Sequence, residues 1–409
     1  RSYRAAMMTI GNADRQETGR LVNNRAENSH LLFRRRESAM LRFRRTGTLQ
    51  KFVSIHASIQ NHFNQERHLY SRTNFKLNRA AAAERFVHEV FWWAYFKGWL
   101  EQHPGVWHAY QFGLRRQIKS VSKDRRLAAN YVQAMAGQTG IDCFDVWADE
   151  LVRTGYLHNH ARMWFASIWI FTLRLPWELG ADFFLRHLMD GDPASNTLGW
   201  RWVAGIQTKG RPYIAGAANI SKFTNRKFCP VHQLATKVDP KIDPVDHLRR
   251  PMTDATQAKD IPSDFLLLVT EDDMQITDLL PHSPIATIGA LATEGRSPNF
   301  LGEIAQHFAA TAMSDACGDH LIISHCAWSD DIIRACARHQ TKTVVTGYAP
   351  VGPVATALEN ARSDLTAAGI RVLSVRRDFD TVAWPHATKG FFAMKNAIPK
   401  ILETLNFKL

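Results

Sequence analysis

Hydrophobic positions follow two different spacings along the chain. Around Phe86, Val90 and Trp93, apolar residues recur with the period of a helix and cover nearly all of its sides, which is typical of a buried helix. Across residues 264–409, short apolar runs alternate with helical segments, which is typical of a parallel α/β sheet. Residues 249–263 contain Pro and polar residues without periodicity and are predicted as a linker. The pattern predicts an α-helical domain followed by an α/β parallel-sheet (Rossmann-like) domain.

All the secondary structure predicted for the first domain is helical. The predicted helices are two within residues 123–153 that are separated at 137–140, one over 156–175, one over 178–188 and one that follows a turn at 190–195. Asp142 is predicted to cap the second helix of the first pair. Residues 105–107 and 207–228 are predicted to be loops.

The second domain has five predicted strands. They are residues 265–269, 286–291, 321–323, 343–345 and 370–375, and helices are predicted over 302–313, 332–338 and 354–368. Neither a GxGxxG sequence nor a Walker loop is present, so this domain lacks the dinucleotide-binding fingerprint.

Length and composition are those of an ordinary soluble protein with two domains. The chain has 409 residues, of which 45% are hydrophobic and 22% charged. Its longest apolar run, Met163 to Leu173, is too short to span a bilayer, so no membrane association is expected. The start of the chain lacks the order of a secretory signal, and its five cysteines form no CxxC pair. A reducing, cytoplasmic location is expected.

One group of residues has the composition of a metal site. Cys317, His320, His325 and Cys326 lie close together in the sequence, but the residues between the two pairs form one of the predicted strands. Because neighbouring strand residues point in opposite directions, the strand explains this group better than a zinc site does. No metal is predicted.

The positive charge of the chain is concentrated near its beginning. Residues 1–83 contain 16 Lys and Arg against 5 Asp and Glu, which accounts for most of the formal net charge of +13. Basic groups such as Arg34 to Arg36 can bind phosphates without sequence preference. A solvated basic segment is the other explanation.

Tryptophan is concentrated between Thr154 and Trp202. Five tryptophans occupy this stretch, at positions 164, 169, 177, 200 and 202. Because the indole N–H of a buried Trp needs a partner, such a density favours surfaces that stack on flat rings, although a Trp-rich helical bundle has the same composition.

The order of residues in this stretch carries a family resemblance. Gly155 to Met163 reads GYLHNHARM, and Asp190 to Trp202 reads DGDPASNTLGWRW. Both segments resemble the flavin-binding part of the photolyase and cryptochrome family, and the likeness covers roughly residues 84–230. It implies that the chain binds FAD.

The resemblance assigns roles around the cofactor. It implies that FAD is bound by Asn159, Arg162, Asp190, Asp192 and Asn196. Arg162 and Asp190 match the ion pair beside the isoalloxazine ring, and Asn196 matches the residue beside its N5 atom. A turn or cap residue is the alternative explanation for Asn196.

The resemblance also assigns residues to the substrate and to electron transfer. Damaged DNA would be the partner, and its pyrimidine dimer would be flipped into a pocket formed by Glu89, Trp92, Met163 and Trp202. Trp177 and Trp200 match the inner two tryptophans of a chain that carries electrons to the flavin, although both indoles could equally fill the core. With Glu89, they are the predicted catalytic residues.

The sequence departs from the family pattern at four places that concern flavin binding, substrate binding or electron transfer. The Ser/Thr-rich loop that binds the flavin diphosphate is not found in residues 1–83. Trp93 and His160 stand where the family usually has Arg, and Asp124 stands where the outer tryptophan is expected.

The C-terminal part resembles the α/β antenna domain that stands first in photolyases. The likeness rests on residues 344–350, 368–373 and 384–392, so the chain is interpreted as a domain-permuted monomer. The predicted boundaries are 1–83 for a basic N-terminal segment, 84–248 for the FAD-binding domain, 249–263 for the linker and 264–409 for the antenna-like domain. Any antenna chromophore is unknown.

Three functions fit these residues. The first is light-driven repair of pyrimidine dimers, as a deoxyribodipyrimidine photo-lyase (a carbon–carbon lyase). The second is a cryptochrome-like blue-light photoreceptor without repair activity. The third is a degenerate family member that does not bind flavin.

Overall fold

The computed structural model describes residues 88–406. The predictions for residues 1–83, including the basic clusters and the missing loop, lie outside this range. Within it, a helical part is followed by a parallel sheet covered by helices, so the predicted fold class is confirmed. No helix in residues 88–406 is both long and apolar enough to cross a membrane.

Eight α-helices form the described region before the sheet. They are α1 (88–102), α2 (Pro104–Val121), α3 (Arg125–Met135), α4 (Asp142–Thr154), α5 (Asn159–Ser167), α6 (Trp177–His187), α7 (Pro193–Val203) and α8 (Ala217–Phe223). A π-helical turn, Ile168–Thr172, extends α5. Their apolar sides form one core that is rich in aromatic rings, among them Trp107, Phe144, Phe165 and Trp169.

The sheet has five parallel strands in the order β3-β2-β1-β4-β5. They are β1 (Leu266–Thr270), β2 (Ala286–Ala290), β3 (Ile322–Ile323), β4 (Thr343–Gly347) and β5 (Arg371–Val375). β1 lies in the middle and is buried on both faces, which explains why its sequence LLLVT does not alternate with polar residues. All five predicted strands are therefore confirmed, with ends that differ by one or two residues.

Six helices accompany the strands. They are α9 (Glu303–Cys317), α10 (Ser329–Arg338), α11 (Pro353–Ala367), α12 (Asp378–Ala383), α13 (Phe391–Lys395) and α14 (Ile398–Thr404). The first three were predicted. The last three are short. None of them has enough turns for a hydrophobic period to be visible in the sequence.

Three local predictions in the helical part were wrong. Residues 105–107 lie inside α2, because Pro104 occupies its first turn, where a missing N–H costs nothing. Asp142 is the first residue of α4 and not its cap; the side chain of Asp145 instead accepts hydrogen bonds from the amides of Thr139 and Gly140, at 2.9 Å each. The predicted loop 207–228 contains helix α8.

Helix α1 joins the two parts of the molecule. The Gln102 side chain donates hydrogen bonds to the carbonyl oxygens of Trp384 (2.9 Å) and Ala387 (3.3 Å). The Glu101 carboxylate accepts hydrogen bonds from the hydroxyl of Tyr348, at 2.8 Å, and from the amide of Val351. The α/β part is thus held by direct bonds to the first described helix.

Candidate functional site

An ion pair lies at the start of the site, as the resemblance implied. The Nη1 atom of Arg162 lies 3.1 Å from Oδ2 of Asp190, and its Nε donates to the carbonyl of Leu157 at 2.8 Å. The other carboxylate oxygen of Asp190 accepts a hydrogen bond from the amide of Gly191. Both ends of the pair are therefore fixed in orientation, although 28 residues separate them along the chain.

The side chain of Asp192 stabilises the turn from Asp190 to Pro193. Asp192 is the N-cap of α7, and its side chain accepts from the amide of Ser195 at 2.7 Å. Its other oxygen lies 3.6 Å from Nζ of Lys97. The predicted cofactor residue Asp192 thus has a structural role as a cap and carries a charge contact to α1.

Asn196 is buried and only half satisfied. It is 8% exposed, and its Nδ2 donates to the carbonyl of Ala181 at 2.8 Å. Its Oδ1 atom is buried without a hydrogen-bond partner among residues 88–406. A buried acceptor without a partner is costly, so this oxygen suits a ligand that brings a donor to it.

Trp177 and Trp200 lie in the helical core and differ in burial. Trp200 is 3% exposed, and its ring meets Trp169 edge-on at 6.2 Å and Phe184 at 5.1 Å. Trp177 is partly buried against Tyr110, at a ring distance of 5.7 Å. Asp124, which stands at the outer tryptophan's place in the family pattern, is the N-cap of α3 and accepts from two backbone amides.

The predicted substrate residues are distributed between exposed and covered positions. Glu89 is exposed, and Met163 is partly buried; Asn159, which was predicted to bind FAD, is also exposed. Trp202 is 38% exposed and stacks on Tyr213 at 5.4 Å.

Trp92 already has a stacking partner within the chain. Its ring lies parallel to that of Phe391, with centroids 3.7 Å apart and an angle of 11° between the planes. Phe391 is 5% exposed and belongs to α13, in the C-terminal part. One face of the indole that was predicted to stack on a base is therefore covered by the protein itself.

A small cavity lies between the Asp190 turn and the α/β part. Its volume is about 100 Å³, and it is lined by Lys97 and residues 190–193 on one side and by Glu271, Asp272, Arg296, Pro353 and Val354 on the other. Neither Arg162 nor Asn196 is among its lining residues. Local sequence patterns do not indicate the α/β contributors, because only the fold brings the end of β1 to this turn.

The charged groups near this cavity shift one another's pKa values. Burial raises the pKa of Asp272 to about 7, against the opposing effect of Lys97. Burial would lower the pKa of Lys97, but the carboxylates of Asp192, Asp272 and Asp380 outweigh it and raise that pKa. The Lys97 ammonium therefore lies among these three carboxyl groups.

Comparison with protein families identifies the helical part. Residues 86–249 match the model described as the FAD binding domain of DNA photolyase. This part of the chain is similar to the FAD-binding domain of DNA photolyases. The photolyase-type domain contains every predicted site residue, and its match supports FAD as the cofactor.

Curated relatives agree with this assignment over part of their length. The chain is 32% identical to the deoxyribodipyrimidine photo-lyase of Salmonella typhimurium over 31% of its own length and 26% of the relative's. It is 46% identical to the photo-lyase of Streptomyces griseus over 19% and 17%, and 29% identical to that of Escherichia coli over 32% and 27%. The chain thus spans about a quarter or less of each of these relatives. No solved structure matches.

A different family matches the beginning of the chain. Residues 1–66 match a model described as a DDE domain. This segment precedes the photolyase-type domain and includes most of the region in which the Ser/Thr-rich loop was sought. Its likeness to another family is consistent with the loop's absence from the sequence.

The helical part contains polar groups of the kind that a flavin ring contacts. The Arg162–Asp190 pair and the unpartnered Oδ1 of Asn196 are a suitable set of groups for a flavin ring, which carries both donors and acceptors. The cavity of about 100 Å³ is smaller than the roughly 300 to 1,000 Å³ of a typical cofactor site. This cavity alone therefore does not hold a whole FAD.

Proposed function

We propose that the chain is a photolyase-like flavoprotein that uses light to split pyrimidine dimers in DNA. The observation that carries this proposal is the buried, unpartnered Oδ1 of Asn196 in the same domain as the Arg162–Asp190 ion pair. Each of these groups stands at the family position that contacts the flavin, and the photolyase relatives supply the reaction.

In this proposal the protein orients the cofactor, and the cofactor carries out the electron transfer. When bound, reduced FAD would supply on illumination the electron that opens the dimer and would recover it after the dimer has split. Arg162 and Asp190 orient the ring through charge and hydrogen bonds, and Asn196 accepts a hydrogen bond at its edge. Because these groups are already fixed by other contacts, they need little reorganisation during the reaction.

The remaining predicted residues serve the substrate and the electron path. Glu89 and Met163 contact the flipped dimer, and Trp202 offers a partly exposed ring for stacking. Trp200 and Trp177 carry electrons towards the flavin. Trp92 offers the face that Phe391 covers only when Phe391 moves aside.

Two measurements on the purified chain test the proposal. A visible absorption spectrum with flavin bands is expected first. Reduced, illuminated protein is then expected to restore DNA that contains cyclobutane dimers, while the same sample in the dark does not. Bound flavin without repair would contradict the enzymatic part.

Two alternatives are each favoured by one observation. The covered face of Trp92 favours a cryptochrome-like photoreceptor, which needs no base-stacking surface. Such a protein binds damaged and intact DNA equally. The match of residues 1–66 to a DDE domain favours a degenerate member that does not bind flavin, and folded, colourless protein would support it.

A further inference from the structure

The cavity beside the Asp190 turn lies where α/β sheets bind ligands. In the order β3-β2-β1-β4-β5, the connections leave β1 and β4 towards opposite edges, so the topological switch point lies between these two strands. Ligands of such sheets occupy the crevice outside the carboxyl ends of the strands at that point. Glu271 and Asp272 directly follow β1, and both line the cavity.

Arg296 is the group in this cavity that most needs a partner. It is 7% exposed, and its Nη2 lies 3.5 Å from the carboxylate of Glu271. Its Nη1 is buried and makes no hydrogen bond within residues 88–406. The guanidinium lies against Gly191, where any side chain would collide with it. A buried N–H left without an acceptor is rare, and a ligand in the cavity would supply one.

Asp272 provides the complementary acceptor. It lines the same cavity, and no hydrogen bond or ion pair reaches its carboxyl group from the described part of the chain. Its charged surroundings are Lys97 and Arg296 on the positive side and Asp192 and Glu271 on the negative side.

The charge balance decides what class of ligand fits. The cavity is lined by four carboxyl groups, those of Asp190, Asp192, Glu271 and Asp272, against the two cations Lys97 and Arg296, so an anion such as a phosphate is disfavoured. What remains is one N–H donor and one carboxyl acceptor in a space of about 100 Å³. A pair of neighbouring hydroxyls satisfies both, because hydroxyls donate to a carboxylate and accept from an N–H. Carboxylates that follow a strand hold ribose hydroxyls in this way in dinucleotide-binding sheets.

From these contacts we infer that Asp272 and Arg296 bind the sugar hydroxyls of the flavin nucleotide, so that the α/β part completes the cofactor site of the helical part. This inference rests on the proposed function. The hydroxyls come either from the polyol chain of the flavin or from the ribose of its adenosine half. Asp190 lies in both the ion pair and the cavity wall, which places the cavity next to the flavin-binding groups.

The test is equilibrium dialysis of FAD, FMN and ADP against the full-length chain and its variants. Asp272→Asn removes the charge and keeps the size, and Arg296→Lys keeps the contact to Glu271 but loses Nη1. Each is expected to weaken FAD binding by about tenfold or more, as expected for loss of a hydrogen bond to a charged group. Glu294→Gln and Arg338→Gln change exposed charges in the same part and are expected to bind FAD as the wild type does.

The three ligands separate the outcomes. A loss shared by FAD and FMN assigns the hydroxyls to the polyol chain, whereas a loss shared by FAD and ADP assigns them to the adenosine ribose. Unchanged FAD binding in both variants, with unchanged thermal unfolding, overturns the inference and leaves the proposed function standing. A wild-type chain that binds none of the three overturns both.

Discussion

Gly98 of helix α1 lies in close contact with Trp384 of the α/β part. A Cβ atom at this position would lie 2.7 Å from both Cα and Cβ of Trp384, so only glycine allows the contact. Trp384 is 1% exposed and cannot move away without opening the core of the α/β part.

Gly98→Ala is therefore expected to destabilise the protein by about 1 to 3 kcal/mol, as overpacking of a close contact does. The free energy of unfolding in urea measures the effect. Gly199→Ala is the matched control, because it also lies inside a helix but has no atom within 4 Å of the added Cβ. It is expected to stabilise by about 0.5 to 1 kcal/mol through helix propensity. Equal effects of the two substitutions would contradict the importance of the Trp384 contact.

Asn196 can be tested without any cofactor. Asn196→Ala removes the hydrogen bond to the carbonyl of Ala181 but also removes the unpartnered Oδ1, so the free energy of unfolding without ligand is expected to change by no more than about 1 kcal/mol. In the presence of FAD the same variant is also expected to lose part of the stabilisation that the ligand gives the wild type. Thermal unfolding with and without FAD measures both. An equal ligand-induced shift in Tm for variant and wild type would show that Asn196 does not contact the cofactor.

For single residues, the sequence alone was informative where many neighbouring positions match the family pattern. It pointed to Arg162 and Asp190, which the structure brings within 3.1 Å of each other. It could not reveal that Asn196 Oδ1 lacks a partner, or that Asp272 and Arg296 reach the same turn. Those facts depend on contacts between distant segments, which local patterns do not encode.

Helix α13 contacts the predicted site through one ring, that of Phe391, which stacks on Trp92. Phe391→Ala removes the ring that covers Trp92, so the indole becomes exposed and available to a base. Under the proposed function, the variant is expected to bind single-stranded DNA that contains a dimer more tightly than the wild type does. Fluorescence anisotropy of labelled DNA measures the affinity.

The neighbouring phenylalanine provides the control for this experiment. Phe392 is 78% exposed, and Phe392→Ala leaves the stacked pair in place. It is expected to leave DNA affinity unchanged. Because loss of a buried Phe destabilises by about 3 to 5 kcal/mol, Phe391→Leu is a milder second variant that keeps much of the volume. Unchanged DNA binding in both Phe391 variants would mean that the stacked pair does not limit access.

Among the elements, those with several turns or a fully apolar strand were predicted well. The strands following residue 264 were found because each is a short apolar run between polar turns. Helix α2 was missed in part because Gly105 and Pro104 resemble a loop, whereas Pro in the first turn favours a helix start. Helix α8 is only seven residues long and shows too little periodicity.

The acidic groups around Lys97 make the stability of the whole molecule depend on pH. Burial raises the pKa of Asp272 to about 7 and that of Asp380 to about 6, whereas both titrate near 4 when unfolded. The folded state therefore keeps protons that the unfolded state releases. Their contribution is fully present below about pH 4 and is lost as pH rises through 6 and 7.

We expect the free energy of unfolding to fall between pH 5 and pH 8, and to fall less in Asp272→Asn and Asp380→Asn. The groups that face these two carboxyls are Lys97, Asp192, Asp273, Glu271, Arg296, Arg376 and Arg377. The raised pKa of Lys97 keeps it charged throughout this range. Urea unfolding at each pH measures the slope, and parallel slopes for the wild type and both variants would contradict the assignment.

At the scale of the molecule, sequence predicted the order of the two parts but not the way they pack. The change in hydrophobic spacing after residue 248 marks where one type of structure gives way to the other. The packing depends on single contacts such as Gln102 with Trp384, which are 282 residues apart. Nothing in the local sequence of either residue indicates such a partner.

The bonds between Gln102 and the 384–387 segment bear on how the chain can be divided. A protease that cuts the polypeptide between residues 249 and 263 would release two pieces that stay associated, and they would elute together from a sizing column. If either piece is expressed alone, it exposes an apolar surface. The Gln102 amide in one piece and the carbonyl groups of Trp384 and Ala387 in the other also lose their hydrogen-bond partners. Co-expression from two plasmids is therefore the practical route to a split version of this protein.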